Sequence, residues 1–222
     1  MNGPARDAPL LERLKAETRA LHAQAERTGV MAELIRRRLP RAGYIALLAN
    51  LRLIYGALEA AQHRLQAVLR TAGVGFPDLA RAAALQQDLA CFADGRAPAA
   101  GPAREAAAIV PAASDYAQRL AACDAPALVA HLYVRCLGDL HGGQVLAPLV
   151  REQYALGDHA GGTAFYDYGD DAAVRRLRTA WREQIARYGA GGTHDDRIVA
   201  EARWAFAAHV RMFEQLQAPA AA

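Results

Sequence analysis

Nowhere does this 222-residue chain approach the roughly 18 consecutive apolar residues that a membrane-spanning helix needs, so no membrane partner is expected. The opening MNGPARDAPLLERLK lacks the apolar stretch of a secretory signal, which argues against export. Cysteine is scarce. Cys91, Cys123 and Cys136 are odd in number and lack CxxC spacing, which disfavours a disulfide framework or a zinc knuckle and fits a reducing cytoplasm. Excess charge of one sign is missing too: 26 Lys and Arg against 23 Asp and Glu leave +3, with no polycationic tail, so nucleic acid is not an expected partner. The alternation of β-branched residues that marks strands is absent, as is any repeat at solenoid spacing.

What remains is a globular composition, 53% apolar and 22% charged, long enough for one sizeable core. Apolar residues recur at three- and four-residue steps almost throughout, so the expected class is all-α. Helices are expected at about 8–28, 44–70 (stopped by Gly73 and Gly75), 79–93 (ending at Asp94-Gly95) and 103–121, where Pro111 bends or divides the helix. Another is expected from Asp124-Ala125-Pro126 to about 155 with an interruption, and two more at about 170–188 and 194–217 beyond a glycine-rich link at Gly157 to Gly162. One domain, with its core over about 10–217 and short flexible tails, accounts for the whole chain.

Two features exceed what a plain bundle requires. The first is His22-Ala-Gln-Ala-Glu26, whose spacing puts an imidazole and a carboxylate on one helix face beside the apolar stripe. His22 can there act as an axial metal ligand while Glu26 fixes its tautomer, although a surface His–Glu pair has the same spacing. Lys15 and Arg19 share that side and can meet an anion, as can the basic run Arg175, Arg176, Arg178 and Arg182; solvated helix faces look alike.

The second is Tyr133-Val-Arg-Cys-Leu-Gly138-Asp139-Leu-His141-Gly142-Gly143-Gln144 inside an otherwise helical pattern. Each interior glycine costs about 1 kcal/mol relative to alanine, a cost that makes sense where the backbone must lie against a flat ligand. The other reading is that Gly142-Gly143 ends one helix and a second begins at Gln144.

LYVRCLGDLHGGQVL closely resembles the haem oxygenase signature, and LKAETRALHAQAE resembles the segment bearing that family's proximal histidine. IYGALE, LQQDLA, FYDYGD and EARWAFAAHVRMFEQL extend the resemblance from about 10 to 217. It implies an all-α, multi-helix bundle with a distal helix kinked at its glycines. It also implies His22 as the iron ligand of haem b, Glu26 as its hydrogen-bond partner, Gly138 and Gly142 against the porphyrin, and Asp139 organising water beside dioxygen. Tyr55 and Arg135 resemble members of that water network; Lys15, Arg19, Arg178 and Arg182 match propionate-facing cations; Tyr133 and Phe206 match aromatic residues of the pocket. His141 and Cys136 depart from the usual serine and aromatic residue. His141 joins the distal network, coordinates iron or is turned away, the last being favoured.

The implied reaction opens haem to biliverdin, carbon monoxide and ferrous iron, using dioxygen and electrons from a separate donor such as ferredoxin or a flavin reductase, with a biliverdin acceptor as a further partner. The absence of a C-terminal anchor fits the family's soluble bacterial members. Competing readings are a haem carrier or regulator without turnover, a di-iron carboxylate bundle, for which paired Glu-x-x-His repeats are wanting, and a thiamin-degrading enzyme using Cys136.

Overall fold

Helices with one apolar stripe are stable only when the stripes meet, and the computed structural model, which describes residues 8–93, 108–157 and 161–217, shows how they do. Its helices are α1 Leu10–Glu26, α2 Gly29–Ile35, α3 Arg41–Thr71, α4 Arg81–Ala93, α5 Pro111–Ala122, α6 Ala125–Leu132, α7 Gly138–Gln153, α8 Asp171–Gly189 and α9 Asp195–Gln217. A π turn, Tyr133–Leu137, joins α6 to α7, and a 3-10 turn, Ala164–Tyr166, precedes α8. Among the described residues there is no strand. The expected tails, the Asp94-Gly95 helix end, the start of the helix expected from 103 and the middle of the Gly157–Gly162 link lie outside those residues.

The core is one continuous cluster built on two long helices. α9 packs against α1, α2, α5 and α6, and α3 against α4, α5 and α6. By length and composition α3 is apolar enough to cross a membrane, but Leu47, Leu48, Leu51, Ile54 and Leu58 are buried among neighbouring helices, as in the core helix of a globular fold. It stops where glycine was expected to stop it. Gly73 takes φ +73°, its N–H reaches the Arg70 carbonyl and the Val74 N–H reaches Leu69, closing the helix end while Val74 packs inward.

Three details differ from expectation. Pro111 bends nothing: it is the first residue of α5, where its missing N–H is harmless, and buried Asn50 fixes the preceding strand of chain by accepting from Val110 N and donating to Ala108 O. The first helix ends at Glu26, because Gly29 turns the chain at φ +54° so closely against Phe213 that an added Cβ would lie 1.9 Å from its carbonyl oxygen. The interruption expected at the glycines sits just before them, as the π turn; Gly138 itself is helical at φ −61°, ψ −50°, and α7 continues unbroken through Gly142 and Gly143.

A polar clasp joins α5, α6 and α9. Arg119 grips both oxygens of Glu201 at 2.5 and 2.6 Å, and His131 Nε2 lies 3.0 Å from Glu201 Oε1. Burial pushes the Glu201 carboxyl up, but the bonds from Arg119 and His131 outweigh it and bring it down to about 2. A fall from 4.5 to about 2 is worth about 3 kcal/mol, less whatever solvent screens at half-exposed Arg119. That stability is complete above pH 4.5 and is lost as pH falls toward 2. Glu201→Gln is therefore expected to destabilise the protein at pH 7 and to flatten the decline between pH 5 and 3, as urea melts across that range will show.

Candidate functional site

α1 packs on α9, α8 and α2, and α7 on α2, the π turn and the 3-10 turn, so α9 is the wall that the first helix and the π turn share. On that wall Phe206 and His209 lie one helical turn apart, on one face. The His22 ring meets Phe206 edge-on, centroids 5.7 Å apart. Arg135 Nη1 donates to His209 Nε2 at 2.9 Å. Two groups 113 positions apart in sequence, His22 and Arg135, are thus gathered against a single turn of α9.

His22 is half exposed, at 50%, with Nδ1 3.7 Å from Glu26 Oε1. That distance is too long for a hydrogen bond, so the expected Glu26 bond is not formed. Lys15 and Arg19 are exposed on the same side of α1, and among the described residues neither makes a hydrogen bond or an ion pair. Tyr133, in the π turn, reaches Thr18 of α1 and faces Arg182 of α8; burial raises its hydroxyl above the ordinary 10 against both. Arg178, one turn before Arg182, is half-buried, and its Nε is buried with no partner among the described residues.

Behind these groups Asp139 forms the centre of a buried network. Its Oδ2 accepts from the Tyr55 hydroxyl and from Arg135 Nη2, the latter at 2.7 Å. Burial raises the Asp139 carboxyl above 3.8 despite both donors, and raises the Tyr55 hydroxyl far above its usual range. The Arg135 guanidinium also lies 5.2 Å from the centre of the Tyr55 ring, whose other contact is Phe165, edge-on at 5.2 Å. Asp88 sets that contact by accepting from the N–H groups of Ala164 and Phe165 at 2.7 and 2.9 Å, which fixes the 3-10 turn.

Helical geometry separates the glycines into two roles. Gly143 faces Tyr166, where a Cβ would make ordinary contacts at 3.5 Å. Gly138 and Gly142, four residues apart on another face, have nothing within 4 Å of where a Cβ would stand. That face is bare and open. Asp139 and His141 flank it at about 80° on either side, the carboxylate turned into the buried network and His141 exposed without a hydrogen bond among the described residues. His141 is thereby excluded from the Asp139 network.

Behind α7 a cavity of about 170 Å³ is lined by Arg81, Cys136, Leu140, Tyr168 and Trp181. Cys136 is 1% exposed and burial raises its thiol well above 9, which makes it inert and removes the cysteine-enzyme reading. Among the described residues no cluster of three or more His, Cys, Asp or Glu can hold a metal ion, which counts against a di-iron site.

Sequence reasoning did not single out His209, Tyr116, His131, Glu201 or Asp88. The available signal was position: His209 falls three residues after Phe206 and four before Phe213, inside an apolar stripe where a polar ring needs partners.

The “Heme oxygenase” family model matches residues 8–215. Human “Heme oxygenase 1” is 33% identical over 213 residues, covering 94% of this chain and 72% of that protein. The Nostoc protein of the same name is 29% identical over 211 residues, covering 94% and 86%. The crystal structure of heme oxygenase-2 from Synechocystis in complex with heme and NO superimposes with a TM-score of 0.80 at 30% identity, covering 94% of this chain and 85% of that one. Heme oxygenase from Leptospira interrogans gives 0.80 at 25% identity, covering 94% and 100%. With a helical fold and a family match that both run nearly end to end, this chain belongs to the haem oxygenase family.

Proposed function

We propose that this protein is a biliverdin-producing haem oxygenase that opens the porphyrin of haem b with dioxygen, releasing carbon monoxide and ferrous iron. The observation that carries the reading is the pairing of an accessible imidazole, His22, with the bare Gly138–Gly142 face, on two elements tied to the same turn of α9. These residues fit the group. A flat macrocycle needs a helix face without side chains, and iron needs a nitrogen whose lone pair no donor already occupies.

Haem, once bound, is both the site of dioxygen activation and the substrate that is cut. His22 holds it from one side, with Glu26 close enough to take up the second ring nitrogen after a small rotation. Gly138 and Gly142 admit it on the other side. Lys15, Arg19, Arg178 and Arg182 neutralise its carboxylates, while Tyr133 and Phe206 line its edges. Tyr55 and Arg135 orient the Asp139 carboxylate, which orders water and governs proton delivery to the reacting centre. The exposed cations of α1 and α8 favour an acidic electron donor, such as ferredoxin or a flavin reductase. Three free, buried cysteines suit a reducing cytoplasm.

The glycines supply a test with two opposed readouts. Gly138→Ala and Gly142→Ala should each stabilise the haem-free protein, by up to about 1 kcal/mol, since alanine prefers a helix and meets nothing there. The same variants should bind haem more weakly. Thermal melts and haemin titration check both, and a substitution neutral to titration removes the face from the site.

Activity itself is tested by adding haemin with a ferredoxin or flavin reductase system and following loss of the Soret band, carbon monoxide release and bilin formation. Haem bound without turnover in that system would establish the carrier reading instead.

A further inference from the structure

Arginine beside a carboxylate ordinarily engages both oxygens with two parallel N–H bonds. Here it does not. Arg135 sends Nη2 to Asp139 Oδ2 at 2.7 Å and Nη1 away to His209 Nε2 at 2.9 Å, while its Nε is buried without a partner. Both donors of Asp139, Tyr55 and Arg135, meet on the same oxygen, and Oδ1 accepts no hydrogen bond among the described residues. The His209 tautomer is fixed from the other side of its ring: Nδ1 lies 2.8 Å from the Ala205 carbonyl, which can only accept, so Nδ1 carries the proton and Nε2 presents a lone pair.

We propose that His209 is a positioning residue that draws Arg135 out of two-point capture of Asp139, so that one carboxylate oxygen stays available to water at the reaction site. This rests on the proposed role of Asp139. The groups facing the ring from neighbouring elements support a neutral imidazole. Arg135 lies on the π turn, Tyr116 of α5 meets the His209 ring at 4.9 Å, and His131 of α6 lies beyond it with Glu201 of α9. Burial, then the Arg135 charge, holds His209 well below 6.5. A protonated ring would turn its acceptor into a donor and repel the guanidinium.

Removing the acceptor in His209→Leu frees Arg135 to close on both oxygens. The Asp139 carboxyl, raised in the native protein, should then titrate below 3.8 in the haem-free variant, read by ¹³C NMR. Bilin-forming kcat should fall about tenfold or more with haem affinity unchanged within about twofold, the split expected of a group acting only on the reaction step. His209→Gln, which keeps an acceptor, should restore most of both. In the native haem-free protein, ¹⁵N NMR should show His209 as the Nδ1–H tautomer, with no titration at pH 6.5. A Nε2–H tautomer, an ordinary titration, or an unmoved Asp139 in folded His209→Leu overturns the proposal. Because the NMR measurements need no turnover, they fail separately from the enzymatic reading.

Discussion

His22→Ala should abolish turnover, by about two orders of magnitude or more, while leaving the haem-free protein as stable as before. The side chain is half exposed and touches only the edge of Phe206 and, at ion-pair distance, Glu26, so little packing is lost. What disappears is the nitrogen that fixes the iron. Added haemin should still enter the gap beside the glycines but give an absorption spectrum without histidine ligation. Imidazole in solution, small enough to fill the truncated space, should restore the spectrum and part of the activity. Spectra identical to those of the native protein would transfer the ligand role to another residue.

Asp139→Asn should lower biliverdin yield about a hundredfold while haem is still bound, because an amide keeps the shape of the carboxylate but cannot accept and pass a proton. Asp139→Ala should do the same and also destabilise the fold by about 3 kcal/mol, because it strands the buried Arg135 charge without its anion. Comparing the two separates chemistry from folding: bilin analysis reads the first effect and denaturant melts the second. A normal yield from folded Asp139→Asn would remove the carboxylate from the reaction.

The helices were legible because each is amphipathic and most carry their own stop signals, such as Gly73 after α3 and Asp124 before α6, whose side chain accepts from Ala127 N. α2 and the 3-10 turn were not. α2 is too short to show a period, and the turn at Ala164–Tyr166 exists because Asp88, 76 positions away, binds its backbone. The site divides similarly. His22, Gly138, Asp139 and Gly142 fall within two compact motifs and could be named from the chain alone. The groups that orient Asp139 could be named only in part. Arg135 is one turn away on the same helical path, whereas its second anchor, His209, is 74 residues distant and has no local mark. Glu26 shows the limit of spacing arguments: four residues place it on the correct face, but not within bonding distance.

The π turn at Tyr133–Leu137 amounts to one residue inserted into an otherwise uniform helical path. Excising any single residue there would let the path relax to α-geometry and rotate everything downstream by about 100°. Leu140 would then arrive where the Asp139 carboxylate now stands, and the smooth side would swing off axis. Relatives that gain or lose a residue in this short stretch should therefore differ in chemistry while folding equally well, a constraint on length rather than on composition.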